Sequence, residues 1–319
     1  MPTRRELITA AAGSGVALVF PGLAGTRGMG GGPLAVVTAD LESHVVLLDP
    51  YTGKTIQRIR TAPGPRSVES APGPLAIVAH TAAGKLTILH PYEPRASVVV
   101  GGLREPRYTA VVDDLAYVTD SAATEIVVVD PRAGVVRGRT HLPGPARHVS
   151  ASSDGGVLWT ALGSKAERLA IVDLERPARP RLRRTIVPPA AAHDVVFAPD
   201  GRHVWVTSGT ERLVWVYEVG GRRPVAELRA DAAPQHVAWV GGRAFVASGE
   251  SGLMRIYRAD GVELERVSIP LGSYNVSYGA SRAITPSLER GTVAVLDRRG
   301  QILSVSGVAR SAHDACITH

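Results

Sequence analysis

Nothing limits the folding of this chain more than a unit of about forty residues that recurs seven times from Leu34 onward. It is clearest at 115–155. There the runs at 115–119 and 125–129 are rich in β-branched and aromatic residues, and Asp120-Ser121-Ala122-Ala123 between them is short enough for a hairpin. Asp130-Pro131-Arg132-Ala133-Gly134 reads as a tight turn, because proline presets one backbone angle and glycine accepts a positive φ. A third strand follows at 135–141. The fourth, at 147–152, lies between Pro143-Gly144-Pro145 and Ser153-Asp154-Gly155.

Two markers repeat with this unit. The residue that ends the second strand falls at Asp49, His90, Asp130, Asp173, Glu218, Arg258 and Asp297, at intervals of 41, 40, 43, 45, 40 and 39 residues. The strand before it reads LAVVT at Leu34, LAIVA at Leu75, LAYVT at Leu115, VLWT at Val157, VWVT at Val204, AFVA at Ala244 and AIT at Ala283. A four-stranded sheet cannot cover both of its own faces, so seven such units stack radially and cover one another. The expected fold is all-β, a seven-bladed β-propeller with four-stranded blades.

The chain resembles the YVTN-repeat β-propeller family of exported bacterial and archaeal proteins. The residues that carry the resemblance are Tyr117-Val118-Thr119-Asp120, the VVVDP run ending at Pro131, and the endings Ser153-Asp154-Gly155 and Ala198-Pro199-Asp200-Gly201. In this fold the fourth strand of one repeat is the innermost strand of the next blade. The resemblance therefore implies that the last eight residues, Ala312 to His319, complete the blade whose other strands lie at 34–38, 44–48 and 55–59.

Residues 1–24 read as a twin-arginine-type signal peptide, with Arg4-Arg5 before a weakly apolar segment and the exit Gly22-Leu23-Ala24. Gly13, Gly15 and Pro21 interrupt that segment, so no transmembrane domain is expected once the signal is removed. Residues 25–33 form a glycine-rich flexible leader, and residues 34–319 a single propeller domain. The expected location is periplasmic, cell-envelope or extracellular. Cys316 is the only cysteine, so the fold needs no disulfide. The thiol is expected to be a small buried group between blades.

The net charge of +7 is carried almost wholly by arginine, since only Lys54, Lys85 and Lys165 are lysines. A solvated basic surface accounts for most of it. Arg176, Arg179, Arg181, Arg183 and Arg184 crowd one loop that could meet phosphates or an acidic polymer. No aromatic residue interleaves there to stack bases, so nucleic acid is not the favoured partner.

Chemistry in a propeller gathers where the inner strands begin. Aligning the repeats gives two rings of residues there. One is Arg66, Arg107, Arg147, His193, Gln235, Tyr274 and His313; the next is Ser67, Tyr108, His148, Asp194, His236, Asn275 and Asp314. Arg66, Arg107 and Arg147 form a cradle for a small anionic ligand, with Tyr108 and Tyr274 as flat walls. His148, Asp194 and His236, in one register on three consecutive inner strands, are the set that could hold a divalent metal. His193 and His313 belong to the ligand-binding mouth. A ring hydrogen-bonded around ordered water would use the same residues.

No nucleophile elbow, phosphate-cradling glycine loop or zinc-protease helix is present in the sequence. The expected function is a monomeric binding scaffold of the cell envelope, without a required cofactor, that takes a small anion or an envelope protein or polymer at the channel mouth. Two alternatives stay open: a metal-assisted hydrolase or lactonase using His148, Asp194 and His236, and binding of nucleic acid or anionic polymer through the arginine-rich surface.

Overall fold

The computed structural model describes residues 31–318. The expected signal at 1–24 and leader residues 25–30 lie outside them. The described chain forms 28 strands in seven antiparallel sheets of four. In chain order, blade 2 begins with the inner strand Pro65–Ser70, blade 3 with Pro106–Val112 and blade 4 with Val149–Ala151. Blades 5, 6 and 7 begin with Ala192–Phe197, Gln235–Val240 and Ser277–Gly279. Blade 1 takes its inner strand, Ala315–Thr318, from the other end of the chain. The inner strands touch one another in a closed circuit.

Closure follows the expected three-plus-one pattern. Val36 pairs with Cys316 and Leu34 with Thr318, and the pairing extends as the Thr38 N–H donates to the Asp314 carbonyl at 2.9 Å. Cys316 is 4% exposed and packs among Leu34, Val36, Val68 and Val78 between blades 1 and 2.

The middle strands of each blade are continuously apolar because both of their faces are covered. Successive side chains point to opposite faces, so Leu158 joins the apolar cluster shared by blades 3 and 4 while Trp159 joins the one shared by blades 4 and 5. Seven such clusters lie one at each blade interface, and none at the hub. The wedges between blades 4 and 5 and between blades 5 and 6 hold large aromatics: Trp159 lies 5.6 Å from Tyr217, and Trp205 lies 5.2 Å from Trp239 and 5.8 Å from Tyr257. Outer strands such as Val135–His141 alternate between exposed and half-buried positions, since only one face is covered.

Three of the aspartates that mark the repeat cap their own turns. Asp49 Oδ1 accepts the Tyr51 N–H, Asp130 Oδ1 the Ala133 N–H and Asp173 Oδ1 the Glu175 N–H, all at 2.8–2.9 Å. The arginine-rich segment forms the outer strand Arg181–Ile186 of blade 4 and the exposed loop before it. Arg183 pairs with Asp173 at 2.7 Å, and Arg184 donates to the carbonyl of Gly220 at 2.7 Å. Among the described residues no helix is long and apolar enough to cross a membrane.

Candidate functional site

The starts of the inner strands are fixed by one recurring threonine. Thr119, at the end of the second strand of blade 3, accepts the N–H of Tyr108 at 3.0 Å and donates its hydroxyl to the Arg147 carbonyl of blade 4 at 2.6 Å. Thr38 links Asp314 to Arg66 in the same way, and Thr207 links Asp194 to Gln235. Each threonine joins its own inner strand to the next blade. The threonines thus fix the backbone from which the hub side chains project.

Strand register supplies the second device. Pairing between inner and second strands shifts between Pro65 and Ser67, between Pro106 and Thr109, and between Ala192 and Val195. A shift of this kind breaks the strict alternation of side chains. It frees Arg66, Arg107, Tyr108, His193 and Asp194 to face the hub.

Three imidazoles meet there. His148, His193 and His236 are all buried, and one nitrogen from each falls within 4.8 Å of the other two. The Nε2 atoms of His193 and His236 stand 3.2 Å apart. His193 Nδ1 faces the Ser164 carbonyl at 2.8 Å, and His236 Nδ1 faces Asp194 Oδ2 at 3.5 Å. With a proton on each Nδ1, both Nε2 lone pairs point into the same space. Two nitrogens bound at about 2.05 Å to one tetrahedral ion lie roughly 3.3 Å apart, so the observed spacing fits two ligands of one metal. His148 stacks on Tyr108 with centroids 4.0 Å apart and lies 4.3 Å from His193, and both of its ring nitrogens are buried without a partner.

Two of the three rings, His148 and His193, differ from ordinary histidines electrostatically. Burial, then the neighbouring His193, His236 and Arg147, hold His148 well below the usual range. Burial, then His236, bring His193 down to about 3. Burial alone would raise Asp194, but its contact with His236, the charges of His236 and His193 and the Val237 N–H together hold it low. Asp194 therefore stays an anion, with Oδ2 also accepting from Val237 at 3.2 Å. A carboxylate behind a ligating histidine fixes the ring and raises its basicity.

Below the cluster lies a channel cavity of about 280 Å³ lined by His148, His236 and Asp194 on one side and by Glu69, Asn275 and Asp314 on the other. Burial pushes both Glu69 and Asp314 up to about 7. Glu69 lies outside the expected set of mouth residues. It stands two positions beyond Ser67 on the same inner strand, so alternation places it on the same face, one tier deeper.

On the mouth side, Arg66 and Arg107 line a second cavity of about 500 Å³ together with Arg104. Arg107 pairs with Glu105. Arg147 is half buried beside Tyr108, and burial lowers its pKa. His313 is buried near Arg66, His236 and Arg147, and burial brings it to about 3. Tyr274 is not brought into the cluster. Its ring lies on Gly249, where an added Cβ would come within 2.7 Å of it, and Glu250 and Glu289 are near enough to raise its pKa further.

The structure thus gathers nine of the ten expected mouth residues around one hub. It differs from the expected metal set in one respect: His193, not Asp194, supplies the third converging donor atom, and Asp194 stands behind His236. The register shift at 192–195 is the reason, since it turns His193 inward.

No family model and no curated protein matches the sequence. Solved structures do match. A functionally unknown protein from Desulfotomaculum acetoxidans superposes with a TM-score of 0.77 at 11% identity, over 90% of this chain and 99% of that one. A 6-phosphogluconolactonase candidate from Bacteroides fragilis gives 0.71 at 9% identity over 90% and 98%. Kuenenia stuttgartiensis hydrazine synthase gives 0.66 at 15% identity over 81% and 91%. At these identities the likeness is one of fold, and the neighbours' functions are varied.

Proposed function

We propose that this chain is an exported propeller of the YVTN-repeat type that binds one divalent transition-metal ion at its hub through His148, His193 and His236. The observation that carries this reading is the state of His148: two buried ring nitrogens with no hydrogen-bond partner, within reach of two Nε2 atoms 3.2 Å apart. A buried polar group left unpaired costs about 1–3 kcal/mol, and a bound ion removes that cost. An all-imidazole donor set suits zinc, cobalt, nickel or copper and disfavours calcium and magnesium. The ion would keep an open position toward the channel, so the hub is a recognition site and not a sealed structural one.

The test is metal analysis of the purified full chain after loading with zinc or cobalt. One ion per chain is expected, with affinity falling at least ~100-fold in His148→Ala and His236→Ala. At a free-ion concentration one hundred times Kd, binding should add about 2.7 kcal/mol of stability. Absence of stoichiometric metal, or binding that ignores both substitutions, overturns the reading.

One observation favours a second reading, metal-assisted hydrolysis. Glu69 and Asp314 share the cavity with His148 and His236, and a carboxyl with a pKa of about 7 is suited to accept a proton near neutral pH. Ester or lactone turnover by the loaded chain, lost in Glu69→Gln, would establish it; a loaded chain that turns over none of a broad substrate panel leaves binding as the function.

A further inference from the structure

A separate cavity lies on the mouth side between the ends of blades 1, 2 and 3. Its walls include Asp40, just past strand Leu34–Ala39 of blade 1, Arg66 and Thr81 of blade 2, and Arg104, Glu105 and Arg107 where the chain enters blade 3. Buried groups hold this frame. Asp120, fully buried, accepts the backbone N–H of Arg104 at 2.7 Å and of Glu105 at 2.8 Å, while the Thr81 hydroxyl donates to the Pro106 carbonyl at 2.8 Å. The Thr38 hydroxyl donates to the Arg66 carbonyl at 3.2 Å. The walls are therefore set before any ligand arrives, which lowers the ordering cost of binding.

The charges of this cavity are not matched within the chain. Arg107 pairs with Glu105. Among the described residues no ion pair includes Arg66, Arg104 or Asp40, and the two arginines enter hydrogen bonds through their backbone only. One carboxylate oxygen of Asp40 is buried without a partner, a state that costs free energy until a donor meets it. What stays open is two guanidiniums and one carboxylate around a space of about 500 Å³.

We propose that this cavity binds a free acidic α-amino acid of the glutamate or aspartate type, with its two carboxylates on Arg66 and Arg104 and its ammonium on Asp40. A guanidinium offers a carboxylate two parallel N–H donors, which a spherical anion cannot match. The ligand also makes the site neutral: three guanidiniums and the ammonium then face Asp40, Glu105 and two ligand carboxylates. No aromatic side chain among the described residues lines the cavity, so a nucleobase or an aromatic acid finds no ring to stack on. The volume is of the size usual for a small-molecule site. None of the three histidines takes part, so the inference stands apart from the metal reading.

The test is calorimetric titration of the full chain, in metal-free chloride buffer, with L-glutamate, with glutarate, which lacks the ammonium, and with L-glutamine, which lacks the second carboxylate. Glutamate is expected to bind at least ~10-fold more tightly than either, since each truncation leaves one charged partner unmet. Asp40→Asn should weaken glutamate and strengthen glutarate, because it removes the ammonium's partner and a charge that repels the dicarboxylate; a merely structural role would weaken both. Arg104→Gln should bring glutamate down to the level of glutamine, and Arg66→Gln is the second variant should the first fold poorly. A wild-type chain that binds no glutamate, or binds it no more tightly than both truncated forms, overturns the inference. A preference for glutamate that survives the substitutions at Asp40 and Arg104 overturns the site. Either result leaves the metal reading standing.

Discussion

At Thr119 a single hydroxyl accepts from Tyr108 and donates to Arg147, and Tyr108 in turn carries the ring on which His148 rests. Thr119→Val should cost about 1–3 kcal/mol in denaturant unfolding, because it leaves a buried N–H unpaired. It should also weaken metal binding without touching a ligand. Glu69 makes a different prediction. Its folded pKa of about 7 lies above the ordinary value of 4.5, so the folded state holds a proton that the unfolded chain releases. Stability is greatest below about 4.5 and falls as pH rises toward 7, after which this group adds no further slope. Thermal unfolding between pH 5 and 7 should show that decline, and Glu69→Gln should flatten it, with Asp314 supplying what remains. The repeat alignment puts His148, Asp194 and His236 in one row, but row membership does not say which way a side chain turns. The register shift between Ala192 and Val195 decides that, and no residue type in the sequence announces it. Ser164, whose carbonyl holds His193, lies in a loop with no distinguishing signal.

The blade is where the sequence speaks most plainly. Apolar runs such as Ile126-Val127-Val128-Val129 have no polar alternation because both faces are covered, while Val135–His141 alternates because one face is wet. Trp159 fills the wedge between blades 4 and 5 and is fully buried. Trp159→Ala should cost about 3–5 kcal/mol, read by chemical denaturation, since the neighbouring blades cannot close a gap of that size. Arg179→Ala, in the exposed loop of blade 4, should change stability by less than about 0.5 kcal/mol. If a polyanion such as heparin binds wild type and Arg179→Ala equally, that loop is only a solvated surface. The one element-level reading that shifted is the arginine-rich stretch: half of it is an outer strand whose Arg183 and Arg184 are engaged by Asp173 and the Gly220 carbonyl.

The ring as a whole is latched by residues that lie at opposite ends of the described chain and pair as neighbours: Val36 with Cys316, Ala35 with Ile317. Removing residues 312–319 strips blade 1 of its inner strand and takes His313 and Asp314 from the hub. The shortened chain should lose cooperative unfolding and expose the edge of Leu34–Ala39 to pairing with other chains. In the intact protein the Cys316 thiol should resist labelling until the ring opens, because it is buried between blades and burial raises its pKa. Seven repeats make the wheel readable from sequence, whereas the hub's chemistry depends on three rings drawn from three blades. The most direct measurement is therefore a crystal structure of the zinc-loaded chain with anomalous scattering at the zinc edge. The account predicts one ion, with nitrogens of His148, His193 and His236 at roughly 2.0–2.1 Å. An ion bound elsewhere, or a hub in which the three rings close around water with zinc in excess, would contradict it.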